Sequence, residues 1–173
     1  MHKEGKMRKF LLAIFFILAG ASCHLFSTKI YTIPPCALDH WDSGTISFPH
    51  NRWETEFSFK TIGSYEDIVM ITPVNLPDGV TLKKLTTYLT DNTDRDEARM
   101  LIILGRHNLQ TAVREQMVSI GTRGCTASPD QREFSASTIN FARINNDKYS
   151  YHLIVIFGMQ DPNLKFHGAK IYY

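Results

Sequence analysis

The clearest strand pattern in the chain runs over Tyr149–Phe157 and reads YSYHLIVIF. Successive side chains of a β-strand point to opposite faces of its sheet, so a period of two predicts a strand. One face of this segment carries Tyr149, Tyr151, Leu153, Val155 and Phe157. The opposite face carries Ser150, His152, Ile154 and Ile156. The pattern therefore predicts a strand that buries an aromatic and aliphatic stripe.

The last ten residues, 164–173, predict a second strand of the same kind. Leu164 and Phe166 share one phase, whereas Ala169, Ile171 and Tyr173 share the other. An extra residue in a strand produces such a slip, which predicts a β-bulge at His167-Gly168.

Further strands are predicted at 45–48, 53–60, 68–74, 80–90, 99–106 and 112–120, separated by turn signals. The segment 99–106 is apolar on both faces, which predicts a strand that is covered on both sides. Residues 91–97 and 121–132 are predicted as loops, and 134–144 as partly extended.

About eight strands at this spacing predict an all-β fold, an antiparallel β-sandwich over residues 44–173. Residues 23–43 form a predicted lead-in, where Ile33-Pro34-Pro35 can continue neither a helix nor a central strand.

Residues 1–22 carry the pattern of a secretory signal segment. Met7-Arg8-Lys9 is basic, residues 10–18 are apolar, and Ala19-Gly20-Ala21 offers a small-residue cleavage site. Cleavage after Ala21 would release a soluble chain, whereas cleavage before Cys23 would leave a lipid anchor on its thiol. The expected location is outside the cytosol: the periplasm, the outer membrane as a lipoprotein, or the extracellular space.

The formal charge of +2 comes mostly from this leader. The first 22 residues hold four basic side chains against Glu4, so the remaining chain is near −1. No basic run in it indicates nucleic-acid binding.

Three cysteines, Cys23, Cys36 and Cys125, would enter an oxidising compartment. If Cys23 is acylated, Cys36 and Cys125 remain as the predicted disulfide. The alternative is that all three thiols are free.

Several segments together resemble a recurring domain of exported bacterial proteins. They are the LPDG turn at 76–79, the YLTDN strand end at 88–92, the NNDKYSYHL strand at 145–153 and the terminal LKFHGAKIY at 164–172. The resemblance covers roughly residues 68–173. It implies a jelly-roll-like β-sandwich and brings no catalytic residues.

The acidic loop contains the candidate metal ligands Asp91, Asp94 and Asp96, because Ca²⁺ prefers oxygen ligands at alternate positions. A solvated turn is nevertheless the expected role of this loop, since Glu97 stands where an EF-hand loop needs glycine, and calcium binding is the alternative. His152 and His167 could meet across neighbouring strands. The sequence predicts no metal and no cofactor, with calcium at the acidic loop as the one alternative.

Nucleophile and phosphate-loop motifs are absent from the sequence. Carboxylates that could pair as in a glycosidase are Asp39, Asp42, Glu54 and Glu56. Aromatic residues that could stack on sugars or fill the core are Trp41, Trp53, Tyr65, Tyr88, Tyr172 and Tyr173, with the core as the expected role. Trp41 is the candidate binding residue, because it lies in a polar segment.

The sequence thus predicts a non-catalytic exported β-sandwich, a structural subunit or a surface-binding or adhesion module of the bacterial cell envelope. The alternative is a carbohydrate-active enzyme or a carbohydrate-binding module on a jelly-roll scaffold. Expected partners are envelope or extracellular proteins, self-association through sheet edges, or carbohydrate. Contact with a membrane is expected only through a lipid on Cys23.

Overall fold

A computed structural model describes residues 27–40, 67–95 and 99–173 of the 173-residue chain. The signal segment, Cys23, Trp41, Asp96 and the strands expected at 45–48 and 53–60 lie outside these ranges. Within them no helix is long and apolar enough to cross a membrane.

The described residues form two antiparallel sheets, as the sequence predicts. The strands are β1 (Ile30–Ile33), β2 (Asp39–His40), β3 (Ile68–Pro73), β4 (Lys84–Asp91), β5 (Met100–Asn108), β6 (Arg114–Gly121), β7 (Ser128–Ala136), β8 (Tyr149–Phe157) and β9 (Leu164–Tyr172). Two short 3₁₀ turns, Pro35–Ala37 and Gly158–Gln160, follow β1 and β8.

The four-stranded sheet has the order β1-β9-β4-β7, and the five-stranded sheet has the order β2-β3-β8-β5-β6. The hydrophobic core lies between the two sheets. Its largest fully buried side chains include Phe157, Phe166, Met70, Leu85, Leu104 and Leu153. Burial of each such side chain contributes about 1.5–3 kcal/mol to the stability of the fold. The alternating apolar residues of β8 and β9 therefore help to hold the two sheets together.

The predicted bulge in β9 is confirmed. Tyr88 of β4 pairs with Gly168, but the next residue, Leu89, pairs with Phe166, so His167 is the extra residue. The bulge restores the phase, and Phe166 and Ile171 both face the core although their sequence phases differ.

Two predicted boundaries are wrong, and both concern edge strands. Residues 30–40, expected in a lead-in, contain β1 and β2, which pair with β9 and β3. β7 begins at Ser128, inside the expected loop, and includes Pro129. An edge strand tolerates proline because half of its N–H groups face no neighbouring strand.

The strand β5 is covered on one side and half-covered on the other. Met100, Ile102 and Leu104 are fully buried, whereas Leu101 and Ile103 on the outer face are half-buried. The predicted double coverage is therefore only partial in the described structure.

Two segments on which the sequence resemblance rests contact each other. The backbone N–H of Asn146 donates to Asp78 Oδ1 at 2.8 Å, and its side-chain amide donates to the Leu76 carbonyl at 2.9 Å. The LPDG turn is therefore held against the loop that precedes β8.

Candidate functional site

A concave surface of the described structure is a groove on the outer face of the four-stranded sheet. Its volume is about 480 Å³. It crosses the sheet from the end of β1 over β9 and β4 to β7. We call it the Tyr88 groove; its lining residues are Thr32, Ile33, Pro34, Pro35, Tyr88, Gln131, His167, Gly168, Ala169 and Lys170.

The wall of the groove rises where β1 ends. Ile33 is the last residue of β1, and the following Pro34-Pro35 turns the chain into a short 3₁₀ turn. This wall lies close to β9 only because residue 168 is glycine. A Cβ atom at Gly168 would lie 2.9 Å from the Ile33 carbonyl oxygen, and the backbone φ of +132° disfavours any other residue.

The floor of the groove is the half-buried ring of Tyr88. Its position in β4 places it on the outer face, between Gly168 of β9 and Glu133 of β7. The Lys170 ammonium lies 5.2 Å from the centroid of this ring. The bulge contributes directly, because it turns His167 to the same outer face, where its Nε2 is hydrogen-bonded to Thr90 Oγ1 at 2.8 Å.

Hydrogen bonds hold a row of polar side chains in place on the β7 side of the groove floor. Thr86 Oγ1 and Ser135 Oγ are hydrogen-bonded at 2.8 Å, and Ser135 Oγ donates to Glu133 Oε1 at 3.2 Å. The groove region therefore presents fixed acceptors near β7 and donors near β9, with an aromatic face between them.

A second lysine–tyrosine pair extends the floor along the strands. Lys84 lies directly opposite Tyr172, and its ammonium is 4.4 Å from the centroid of the Tyr172 ring. The sequence predicted a core role for Tyr88 and Tyr172, and this prediction is wrong: both rings lie on the outer face, half-buried. Tyr173, by contrast, packs against the core.

The outer face of the five-stranded sheet has a different character. Its half-buried side chains are aliphatic in two adjacent rows across β3, β8 and β5: Val69, Ile156, Leu101, Ile71, Ile154 and Ile103. Polar side chains flank these rows, because Asp39 lies opposite Ile71 and Ser119 lies opposite Ile103. His152 lies in the next row.

His152 lies over Gly105 of β5, since a Cβ atom at that glycine would lie 2.7 Å from His152 Nε2. Burial lowers the pKa of His152 below 6.5, and the charges of Arg114 and His107 lower it further. His152 and His167 belong to different sheets, so the expected meeting of these histidines across a ladder is wrong.

At the end of the five-stranded sheet, Arg106 is enclosed by aromatic rings. Its guanidinium stacks 3.8 Å from the Phe141 centroid and 3.9 Å from that of Tyr149, and its Nε donates to Glu115 Oε2 at 2.7 Å. These contacts hold Arg106 within the fold, so we assign it a structural role.

Two of the three candidate metal ligands of the acidic loop, Asp91 and Asp94, lie in the described ranges, and Asp96 lies outside them. Asp91 is buried and accepts from the Thr93 N–H at 3.3 Å, whereas Asp94 is exposed. Thr93 also donates from its hydroxyl to Asp161 Oδ2 at 2.9 Å. In the described ranges no three histidine, cysteine or acidic side chains form a metal-binding group.

The expected disulfide is absent from the structure. Cys36 and Cys125 are both free and exposed. Cys36 follows β1 at one edge of the four-stranded sheet, and Cys125 precedes β7 at the opposite edge. Of the expected carboxylate pairs, Asp39 is exposed on β2, and Asp42, Glu54 and Glu56 lie outside the described residues.

No family model matches the chain, and no curated protein matches it. Solved structures with a similar fold include a xylan-binding module, CBM15, at 9% identity and a TM-score of 0.49, with 84% of this chain and 97% of that chain covered. Another is the CBM36-1 domain of a multidomain xylanase from the hindgut metagenome of Trinervitermes trinervoides, at 10% identity and a TM-score of 0.41, covering 83% and 96%. A third is a family 11 carbohydrate-binding module from Clostridium thermocellum in complex with a β-1,3-1,4-mixed-linked tetrasaccharide, at 9% identity and a TM-score of 0.39, covering 87% and 91%. At these identities the likeness concerns the fold alone.

Proposed function

We propose that this chain is a non-catalytic carbohydrate-binding module of an exported protein, and that the Tyr88 groove holds the sugar. One observation carries the proposal: an aromatic ring forms the floor of an open groove and has hydrogen-bonding side chains on both sides. A pyranose ring has apolar C–H faces and a rim of hydroxyls. An aromatic face with polar groups around it matches both features.

The size and chemistry of the groove support binding. Its volume of about 480 Å³ lies within the range of about 300–1,000 Å³ that is usual for small-ligand sites. Its lining supplies an amide at Gln131, a hydroxyl at Thr32 and an ammonium at Lys170. These groups suit hydrogen bonding to hydroxyls, whereas hydrolysis of a glycosidic bond uses a pair of carboxylates.

Export to the periplasm, the outer membrane or the extracellular space fits this proposal, because polysaccharides are met there. The envelope-protein partners expected from the sequence stay a prediction, as does self-association through sheet edges. A lipid on Cys23 would tether the same module to a membrane without changing its groove.

Affinity gel electrophoresis with soluble polysaccharides tests the proposal. The panel contains xylan, mixed-linkage β-glucan, polygalacturonate and alginate, and we expect at least one polymer to retard the protein. Tyr88→Ala removes the stacking face and should weaken retardation about ten-fold or more, as for a central aromatic contact. Tyr88→Phe keeps the ring and should retain most of the binding.

Leu109→Ala is the matched control, because Leu109 is an exposed apolar residue in the β5–β6 hairpin of the other sheet. It should migrate like the wild type in every gel. Equal retardation of Tyr88→Ala and wild type, or no retardation by any polymer, would contradict the proposed function.

A further inference from the structure

The Tyr88 groove lies within a basic track that forms only when β4 and β9 pair. Thr86 lies opposite Lys170, and Lys84 lies opposite Tyr172, two positions along the same outer face. Diagonal neighbours on one face of an antiparallel pair are about 7–8 Å apart. The two lysines are therefore close together, although they are distant in sequence.

Neither ammonium is neutralised within the described part of the chain. Arg106 and Glu115, which form an ion pair, lie on the other sheet. Lys170 and Lys84 instead rest over the rings of Tyr88 and Tyr172. A cation held over an aromatic face keeps its charge and its free N–H donors directed toward solvent or a ligand.

The acidic side chain of this region lies on the other side of the ring. Glu133 faces Tyr88 from β7, and Ser135 donates a hydrogen bond to it at 3.2 Å. The charge on the outer face is thus divided: cations over β4 and β9, and a carboxylate at β7. An anionic group of a ligand would be attracted to the β9 side.

We infer that the ligand of the groove is a carboxylate-bearing polysaccharide, a polyuronate, with a uronate carboxylate placed between Lys170 and Lys84 while a sugar ring stacks on Tyr88. This inference rests on the proposed function. Charge-assisted hydrogen bonds from ammonium to carboxylate are stronger than neutral ones, so the two lysines would select acidic over neutral sugars.

The test compares polygalacturonate and alginate with their carboxyl-reduced, neutral forms in affinity gels and by isothermal titration calorimetry. We expect the acidic form of at least one pair to bind about ten-fold more tightly than its neutral form. That preference should shrink when salt is raised from about 0.01 M to about 0.15 M, because the Debye length falls from about 30 Å to about 8 Å.

Substitutions test whether the lysines of the basic track cause the preference for the acidic form. Lys170→Gln and Lys84→Gln should each remove most of the preference for the acidic form, whereas Lys148→Gln, an exposed lysine in the loop before β8, should leave it unchanged. Glu133→Gln removes a like charge and should strengthen binding of the acidic form. Circular dichroism of each variant should match the wild type.

The outcomes separate this inference from the proposed function. Equal binding of acidic and neutral forms, with sensitivity to Tyr88→Ala, would overturn the polyuronate while leaving a carbohydrate-binding module. Tighter binding of single-stranded poly(dT) than of either polyuronate would also overturn it, since the basic track would then bind phosphate in preference to carboxylate. Failure to bind any polysaccharide would overturn both.

Discussion

At the scale of single residues, two neighbouring threonines of β4 are buried on opposite faces. Thr86 faces outward and is hydrogen-bonded to Ser135. Thr87 faces the core, and its hydroxyl has no hydrogen-bond partner among the described residues. An unpaired hydroxyl in a core costs about 1–3 kcal/mol, whereas valine has nearly the same shape and no polar atom.

We therefore expect Thr87→Val to raise the free energy of unfolding by about 1 kcal/mol. Thr86→Val should lower it by about as much, because it removes the hydrogen bond between Thr86 and Ser135. Urea denaturation of both variants measures the difference. A Thr87→Val variant that is less stable than Thr86→Val would show that the core hydroxyl has a partner that the described contacts lack.

At the scale of the element, the bulge in β9 connects the fold to the groove. Gly168→Ala places a Cβ atom 2.9 Å from the Ile33 carbonyl, at a φ of +132°. Gly124→Ala is the control, because its φ is +75° but nothing lies within 4 Å of the added atom. Both variants place alanine at a positive φ, which is less favourable at +132° than at +75°. Only Gly168→Ala also meets the groove wall.

We expect Gly168→Ala to lose about 2–3 kcal/mol of stability and Gly124→Ala about 1 kcal/mol. Only Gly168→Ala should also weaken retardation by polysaccharide, since the Pro34-Pro35 wall must move. Denaturation curves and affinity gels report the two effects separately. Equal losses for both variants would mean that the approach of Ile33 to β9 is not tight.

The elements themselves were predictable to the extent that their residues alternate. β8, β9 and the bulge follow from the period of two, because each strand buries one face and a slip in phase has a single geometric cause. β7 was missed because its sequence, SPDQREFSA, is polar and contains proline, as loops do. β1 was missed because it has only four residues and is followed at once by Pro34-Pro35.

The groove could be predicted only in part. Tyr88 and Tyr172 were recognised as residues that could stack on sugars, but aromatic content alone favours a core role. Their outward direction depends on which face of β4 and β9 is buried. The basic track forms through the pairing of β4 and β9, two strands that are far apart in the chain. Neither the net charge nor the local sequence predicts that pairing.

At the scale of the whole molecule, the two outer faces of the sandwich differ. The four-stranded sheet presents tyrosine, lysine and hydroxyl groups, whereas the five-stranded sheet presents aliphatic rows that end at His152. The fold thus separates a surface suited to a polar ligand from one that is largely apolar.

The global stability should fall as the pH drops below about 6.5. The pKa of His152 lies below 6.5 in the folded protein because of burial, with Arg114 and His107 adding to the effect. The unfolded chain therefore binds this proton at a higher pH than the folded chain, and acidification favours unfolding. The stabilising contribution is complete above the unfolded pKa and is lost as the pH falls through the folded one.

His152→Gln removes this group, so the variant's stability should change less than that of the wild type between about pH 7 and pH 5. Urea denaturation at several pH values measures both curves. Parallel curves would mean that His152 has the same proton affinity in both states.

The most direct test of the account is a two-dimensional NMR titration of the ¹⁵N-labelled protein with oligosaccharides of the polymer that retards it most. The account predicts chemical-shift changes centred on Thr32, Tyr88, Gln131 and Lys170, on the outer face of the four-stranded sheet. Changes centred instead on the aliphatic rows of β3, β5 and β8, or no changes at saturating sugar, would contradict it.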